Sequence, residues 1–130
     1  MTLSLPTHLP VVDHDELHQR MMGNALLAER MLNKFVATAP AECDQLESAI
    51  RIGDKSTVTS LAHRHKGTAK TLATHRVAAA ASHLEERAAT DSVSELLALL
   101  EELRQLHQEV RDVVGGESTC SAPENGAQRP

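Results

Sequence analysis

Residues 58–72 read VTSLAHRHKGTAKTL. At about 100° per residue, Val58, Leu61, Ala62, His65, Ala69 and Leu72 fall within about 60° of one another's mean direction, and form an apolar stripe. Thr59, His63, Lys66, Gly67 and Lys70 fall on the other side, His63 about 140° from Val58. The stretch reads as a half-buried helix whose two histidines point opposite ways, His63 to solvent and His65 to the core.

Helical spacing continues on both sides of it. Asp13, with Glu16 three residues on, reads as an N-cap with a reciprocal acid, opening a short helix that carries Leu17 and Met21 and stops near Gly23-Asn24. Asn24 can cap a second helix with Leu27, Met31 and Phe35 at i, i+4, i+8, continued by Leu46, Ala49 and Ile50 beyond Pro40, which either kinks one helix or separates two. Gly53-Asp54 ends that run, and Asp54 caps the quoted helix. Val77, Ala80, Ala81, Leu84 and Ala88 mark the next helix. Asp91 then caps a last one, striped by Val93, Leu96, Leu97, Leu100, Leu103 and Val110 and closed by Gly115-Gly116. The expected fold is all-α: an antiparallel up-down four-helix bundle with a short N-terminal lid helix, since short links between long amphipathic helices make antiparallel neighbours.

Composition agrees with that fold. With one Phe and neither Trp nor Tyr, the interior must be built from Leu, Val, Ile, Met and Ala, which favours helix packing over a sheet. The expected organisation is an extension over 1–10, the bundle over 11–114 and a disordered tail over 115–130, where Gly, Ser, Pro and polar residues show no periodicity. The formal charge of −5, dispersed bases and missing aromatic platforms exclude a nucleic-acid footprint. No stretch approaches the roughly 20 apolar residues of a membrane span, and the N-terminus lacks a basic, apolar signal sequence. A cytoplasmic location is expected, with Cys43 and Cys120 as free thiols.

His63 is the chemically suggestive residue. A solvent-facing imidazole one turn from Lys66, with Lys70 a turn further on, suits a nucleophile that ends up bearing an anionic group whose charge the ammonium groups offset. Gly67 costs a helix interior about 1 kcal/mol relative to Ala, and beside a reactive side chain it is best explained by the close approach of another backbone. His65 reads instead as a core histidine, kept neutral by burial and hydrogen-bonded to a partner. His14 and His18 in HDELH lack the Glu position and third ligand of a zinc helix, and no metal site is expected. His75, His83 and His107 read as surface or boundary residues. Glu85-Glu86 and Glu101-Glu102 read as wet helix faces balanced by Arg87 and Arg104. There is no Gly-rich phosphate cradle, nucleotide motif or Ser/His/Asp set, so a self-phosphorylating enzyme is excluded.

The segment A-H-R-H-K-G-T-A at 62–69, followed by Leu72 and by Leu84-Glu85, resembles the histidine-containing phosphotransfer (HPt) family, whose signature is A-H-x-L-K-G-x-A with a downstream L-E pair. The order of elements agrees too, and the resemblance covers roughly residues 10 to 113. It implies a phosphocarrier of two-component signalling. His63 would accept the phosphoryl group, Lys66 would be the neighbouring cation and Gly67 the close-approach position, with Lys70 supporting. Glu85 would lie across from the His63 helix, near the imidazole. The implied partners are response-regulator receiver domains and a hybrid histidine kinase, with the chain a monomer that holds no cofactor and the receiver bringing the divalent metal. The runner-up is a non-catalytic bundle adaptor that binds a receiver or kinase without transfer; a third reading is a fragment of a larger kinase, against which the polar tail argues mildly. Two departures stand out: His65 where the family has Leu, and Ala73-Thr74 after Leu72 where the family often has Gly-Ala. Restoring Leu at 65 is expected to raise the melting temperature and flatten stability between about pH 7 and 5, by removing a buried titratable ring.

Overall fold

The structure, a computed structural model, describes residues 10–121, with side chains described as far as Gly115. Five helices make it up: α1 (His14–Arg20), α2 (Ala25–Arg51), α3 (Lys55–Thr71), α4 (His75–Arg87) and α5 (Val93–Ser121). Contacts join α2 to α3, α3 to α4, α4 to α5 and α5 back to α2. That closed ring of consecutive neighbours is an up-down four-helix bundle.

The caps fall largely where the sequence puts them. Asp13 accepts from the Glu16 amide, Asn24 from Leu27 and Asp54 from Thr57, each satisfying an otherwise orphaned first-turn donor. Two assignments are corrected. Glu16 does not reach back to Asp13, whose amide donates to the Ala73 carbonyl at 3.0 Å; its carboxylate is drawn to Arg20 and His75. The cap of α5 is Ser92, not Asp91: Ser92 Oγ accepts from the Glu95 amide and Glu95 accepts from the Ser92 amide, a reciprocal pair, while Asp91 pairs with Arg87.

Pro40 neither splits nor ends α2, which runs unbroken past it. The ring sits on the exposed face, where the one backbone bond it removes leaves the buried side intact. The apolar stripe of α2 is rotated from the expected one: Leu27 is exposed and Met31 half-buried, while Ala28, Leu32, Phe35, Ala39, Cys43, Leu46, Ala49 and Ile50 are buried. α5 also continues through Gly115-Gly116 to Ser121. Two glycines weaken a helix by about 1 kcal/mol each but do not forbid it. The expectation of a disordered tail otherwise falls on 122–130, outside the described residues, as does the extension over 1–9.

α1 is seven residues long, too short to hold alone. Leu17, fully buried, ties it to the bundle and contributes about 1.5–3 kcal/mol as an upper estimate. The Asp13–Ala73 hydrogen bond adds a backbone link to the α3–α4 turn. In that turn Ala73 has φ +57°, a left-handed conformation that glycine adopts without strain and alanine does not. Burial of Ala73 and the bond from Thr74 Oγ1 to the Ala69 carbonyl, at 2.9 Å, offset that strain.

Candidate functional site

α3 presents its two faces as the wheel requires. Val58, Ala62, His65, Ala69 and Leu72 are buried, with Leu61 half-buried, and the His63 side chain is 69% exposed. Across from it, α4 brings in Glu85 next to the buried Leu84. Glu85 Oε2 lies 2.8 Å from His63 Nδ1 and its Oε1 lies 2.7 Å from Lys66 Nζ. One carboxylate thus bridges the imidazole and the ammonium from a neighbouring helix. Lys66 beside it, and to a smaller degree the His63 hydrogen bond, hold the Glu85 carboxyl below the usual range against partial burial, so it is ionised at neutral pH.

The charge on Glu85 decides which ring nitrogen is available. A carboxylate only accepts, so Nδ1 of neutral His63 carries the hydrogen and Nε2 keeps its lone pair. Nε2 is the ring nitrogen left with a lone pair, on a ring whose orientation the Glu85 bond restrains. Gly67 is exposed, and a Cβ built there would meet nothing within 4 Å. Among the described residues nothing requires glycine at this position. Lys70 is exposed and makes no ion pair among the described residues, so it does not join the Glu85 cluster. His63, Lys66 and Glu85 are brought into contact, then, while Gly67 and Lys70 lie beside them on the open face of α3.

A second histidine cluster escapes the sequence reading. His107, expected at the surface or its boundary, is 7% exposed and lies against His65, their Nε2 atoms 2.6 Å apart, with Glu42 Oε1 2.8 Å from Nδ1 of His65. The signal was there: 107 follows Leu100 and Leu103 and precedes Val110 at helical spacing, on the stripe of α5. Arg104 likewise does not balance Glu101-Glu102; it crosses to Asp44 and Glu47 of α2. Among the described residues, Asp13, Glu16 and His75 form a grouping of metal-ligand atoms within 4.8 Å of one another where α1 meets the start of α4. Its atoms are engaged otherwise, in the α1 cap, in the hydrogen bond between Glu16 and His75 and in the ion pair of Glu16 with Arg20.

Among the described residues, the bundle presents on one face an oriented imidazole backed by a carboxylate and an ammonium. The family model of the Hpt domain matches residues 30–113, and the chain belongs to that family. The crystal structure of the HPT domain from the Hpt sensor hybrid histidine kinase of Shewanella superposes with a TM-score of 0.69 at 16% identity, covering 88% of this chain and 97% of that one. No curated protein sequence matches the chain. Family membership carries the general role of a phosphocarrier in a phosphorelay. Among the described residues no helix is long and apolar enough to cross a membrane.

Proposed function

We propose that this chain relays phosphoryl groups between receiver domains through His63. The observation that carries the reading is the exposed imidazole whose Nδ1 is held by Glu85, leaving Nε2 free to attack. In the forward step the Nε2 lone pair forms a bond to the phosphorus of an aspartyl phosphate, the phosphorus–oxygen bond breaks, and the receiver's aspartate leaves as carboxylate. The ring, still holding its Nδ1 hydrogen, becomes a phosphoimidazolium whose positive charge faces the Glu85 carboxylate. Lys66 supplies positive charge near the phosphoryl oxygens. The reverse step, with a second receiver's aspartate as nucleophile, empties the carrier.

In this reading the receiver brings the divalent metal and the chain needs no cofactor of its own. The chain works as a monomer in the cytoplasm and has no autonomous catalytic activity, taking its phosphate ultimately from a hybrid histidine kinase. Gly67 provides the flat ground on which the receiver's backbone comes close to the ring, and Lys70 extends the positive field. Chemistry of this kind is mostly positional, which is why an imidazole on an open helical face suffices. The experiment is incubation with a receiver domain phosphorylated by acetyl phosphate. An acid-labile, base-stable phosphoryl group mapped to His63 is the expected result; binding of the receiver with no transfer would instead establish the non-catalytic adaptor.

A further inference from the structure

Two imidazoles meet at the centre of the bundle. His65 of α3 and His107 of α5 face each other at 2.6 Å through Nε2, in an edge-on arrangement with ring centroids 4.7 Å apart. Phe35 of α2 packs on both, at 5.8 and 5.0 Å. Glu42, also from α2, closes the chain of contacts at Nδ1 of His65.

The hydrogens of this cluster can be counted. Glu42 only accepts, so Nδ1 of His65 donates to it, and a neutral ring then has a lone pair at Nε2. The short contact requires Nε2–H on His107. Its Nδ1 is left with a lone pair, and that atom is buried without a partner. In the neutral state every hydrogen of the pair is bonded. One further proton can be held only by reversing the contact, with Nε2–H of His65 donating to His107 and the His107 hydrogen moved to Nδ1, where it is buried without an acceptor; with a proton on each ring two N–H groups oppose each other and the contact cannot hold.

From this arrangement we propose that Glu42, His65 and His107 form an acid-operated latch joining α2, α3 and α5, closed while both rings are neutral and opened by the uptake of two protons, one on each ring. Around the latch, α2 contributes Glu42 and the Cys43 thiol, α3 contributes Arg64, and α5 contributes Arg104 and Arg111 along the groove beside His107. α4 turns only Val77, Ala78, Ala81 and Leu84 to the interior. Among the described residues Glu42 is thus the single acid in contact with the pair, and it reaches His65 alone. Burial pushes the Cys43 thiol up to about 11, so it remains neutral and offers no compensating charge.

The direction of the proton linkage follows from burial. Burial pushes His65 below the ordinary histidine value, with the Glu42 carboxylate partly opposing it, and burial together with His65 pushes His107 down to about 3. The unfolded chain takes up these protons near pH 6.5, and the closed bundle only at lower pH. Stability is therefore complete above pH 6.5 and is lost as pH falls below it, toward the folded values, by up to about tenfold in the unfolding constant per pH unit for each ring. His63 lies two residues from His65, so the helix released by acid is the one that presents the nucleophile. The latch itself stands whether or not His63 carries phosphate.

The test is equilibrium unfolding in urea between pH 7 and 5, comparing the full chain with a His65→Leu/His107→Leu double variant, in which the contributions of the other histidines cancel. The wild-type unfolding constant should climb up to about 100-fold per pH unit more steeply than that of the variant below about pH 6. Equal slopes would overturn the latch. Nitrogen-15 imidazole spectra of the wild-type chain test it without any variant: His65 should be neutral with hydrogen on Nδ1 and His107 neutral with hydrogen on Nε2 at pH 5.5 in the folded population. A cationic His65 or His107 in the folded chain at that pH would equally refute it.

Discussion

His63 and His65 are two residues apart on one helix, and each has its Nδ1 2.8 Å from a glutamate of another helix. Their side chains are 69% and 2% exposed. In the proposed relay that difference separates a reagent from a structural joint. At His63 the carboxylate restrains the ring and its second nitrogen faces solvent, where a partner can reach it. At His65 the second nitrogen is spent on His107, and the protein surrounding both rings excludes any incoming phosphate. The pairing of imidazole with carboxylate does not by itself confer function; what the remaining nitrogen faces decides it.

Substitution at the two positions should split accordingly. His63→Gln is expected to abolish phosphoryl acceptance from a phosphorylated receiver while shifting stability by less than about 0.5 kcal/mol, as outward-facing replacements usually do. Transfer that persisted in this variant would erase the distinction between the two faces. His65→Leu should do the converse: transfer is retained at neutral pH, but the fold loses about 1–3 kcal/mol, because Nε2–H of His107 is left buried without an acceptor. This reverses the sign that the sequence leads one to expect, where a leucine in an apolar stripe relieves the core of a polar ring. A urea melt at pH 7 decides it, and a gain in stability would show that His107 finds another partner.

A smaller effect is expected from Lys66→Ala. The variant should still accept phosphate, with the equilibrium between carrier and receiver shifted toward the receiver by roughly tenfold, corresponding to loss of a charge-assisted contact worth about 1–2 kcal/mol. The measurement is the ratio of phosphorylated carrier to phosphorylated receiver, and an unchanged ratio would leave Lys66 as a partner of Glu85 alone. Smallest in energy is Gly67→Ala. Because a Cβ there meets nothing within 4 Å, the fold should gain up to about 1 kcal/mol of helix propensity. Transfer should nevertheless slow, since the added methyl stands where the receiver approaches. Unimpaired transfer with raised stability would remove Gly67 from the docking ground.

Much of this protein is legible along the chain. Local rules act within a few residues, so the caps at Asp13, Asn24 and Asp54, the helix of α3 and the opposite directions of His63 and His65 all follow from spacing. The fold class follows as well, because apolar stripes separated by short turns leave few ways to bury themselves. Where local signals competed, the prediction slipped: Ser92 displaced Asp91 as a cap, and α5 ran on past two glycines that weaken a helix without stopping it.

What only the tertiary structure decided are the pairings between residues distant in sequence. Glu85 can be placed beside His63 from the family resemblance but not from periodicity, since they are 22 residues apart on different helices. Nothing local tells His107 that it faces His65 across 42 residues, or tells Glu16 to leave the α1 cap for His75 across 59. Periodicity reports which side of a helix is buried. It does not report what is buried against it, because the relative rotation and offset of packed helices are set jointly by all the side chains that interlock between them. Burial of a histidine is therefore readable from sequence, whereas its hydrogen-bond partner, its tautomer and the sign of its contribution to stability belong to the assembled bundle.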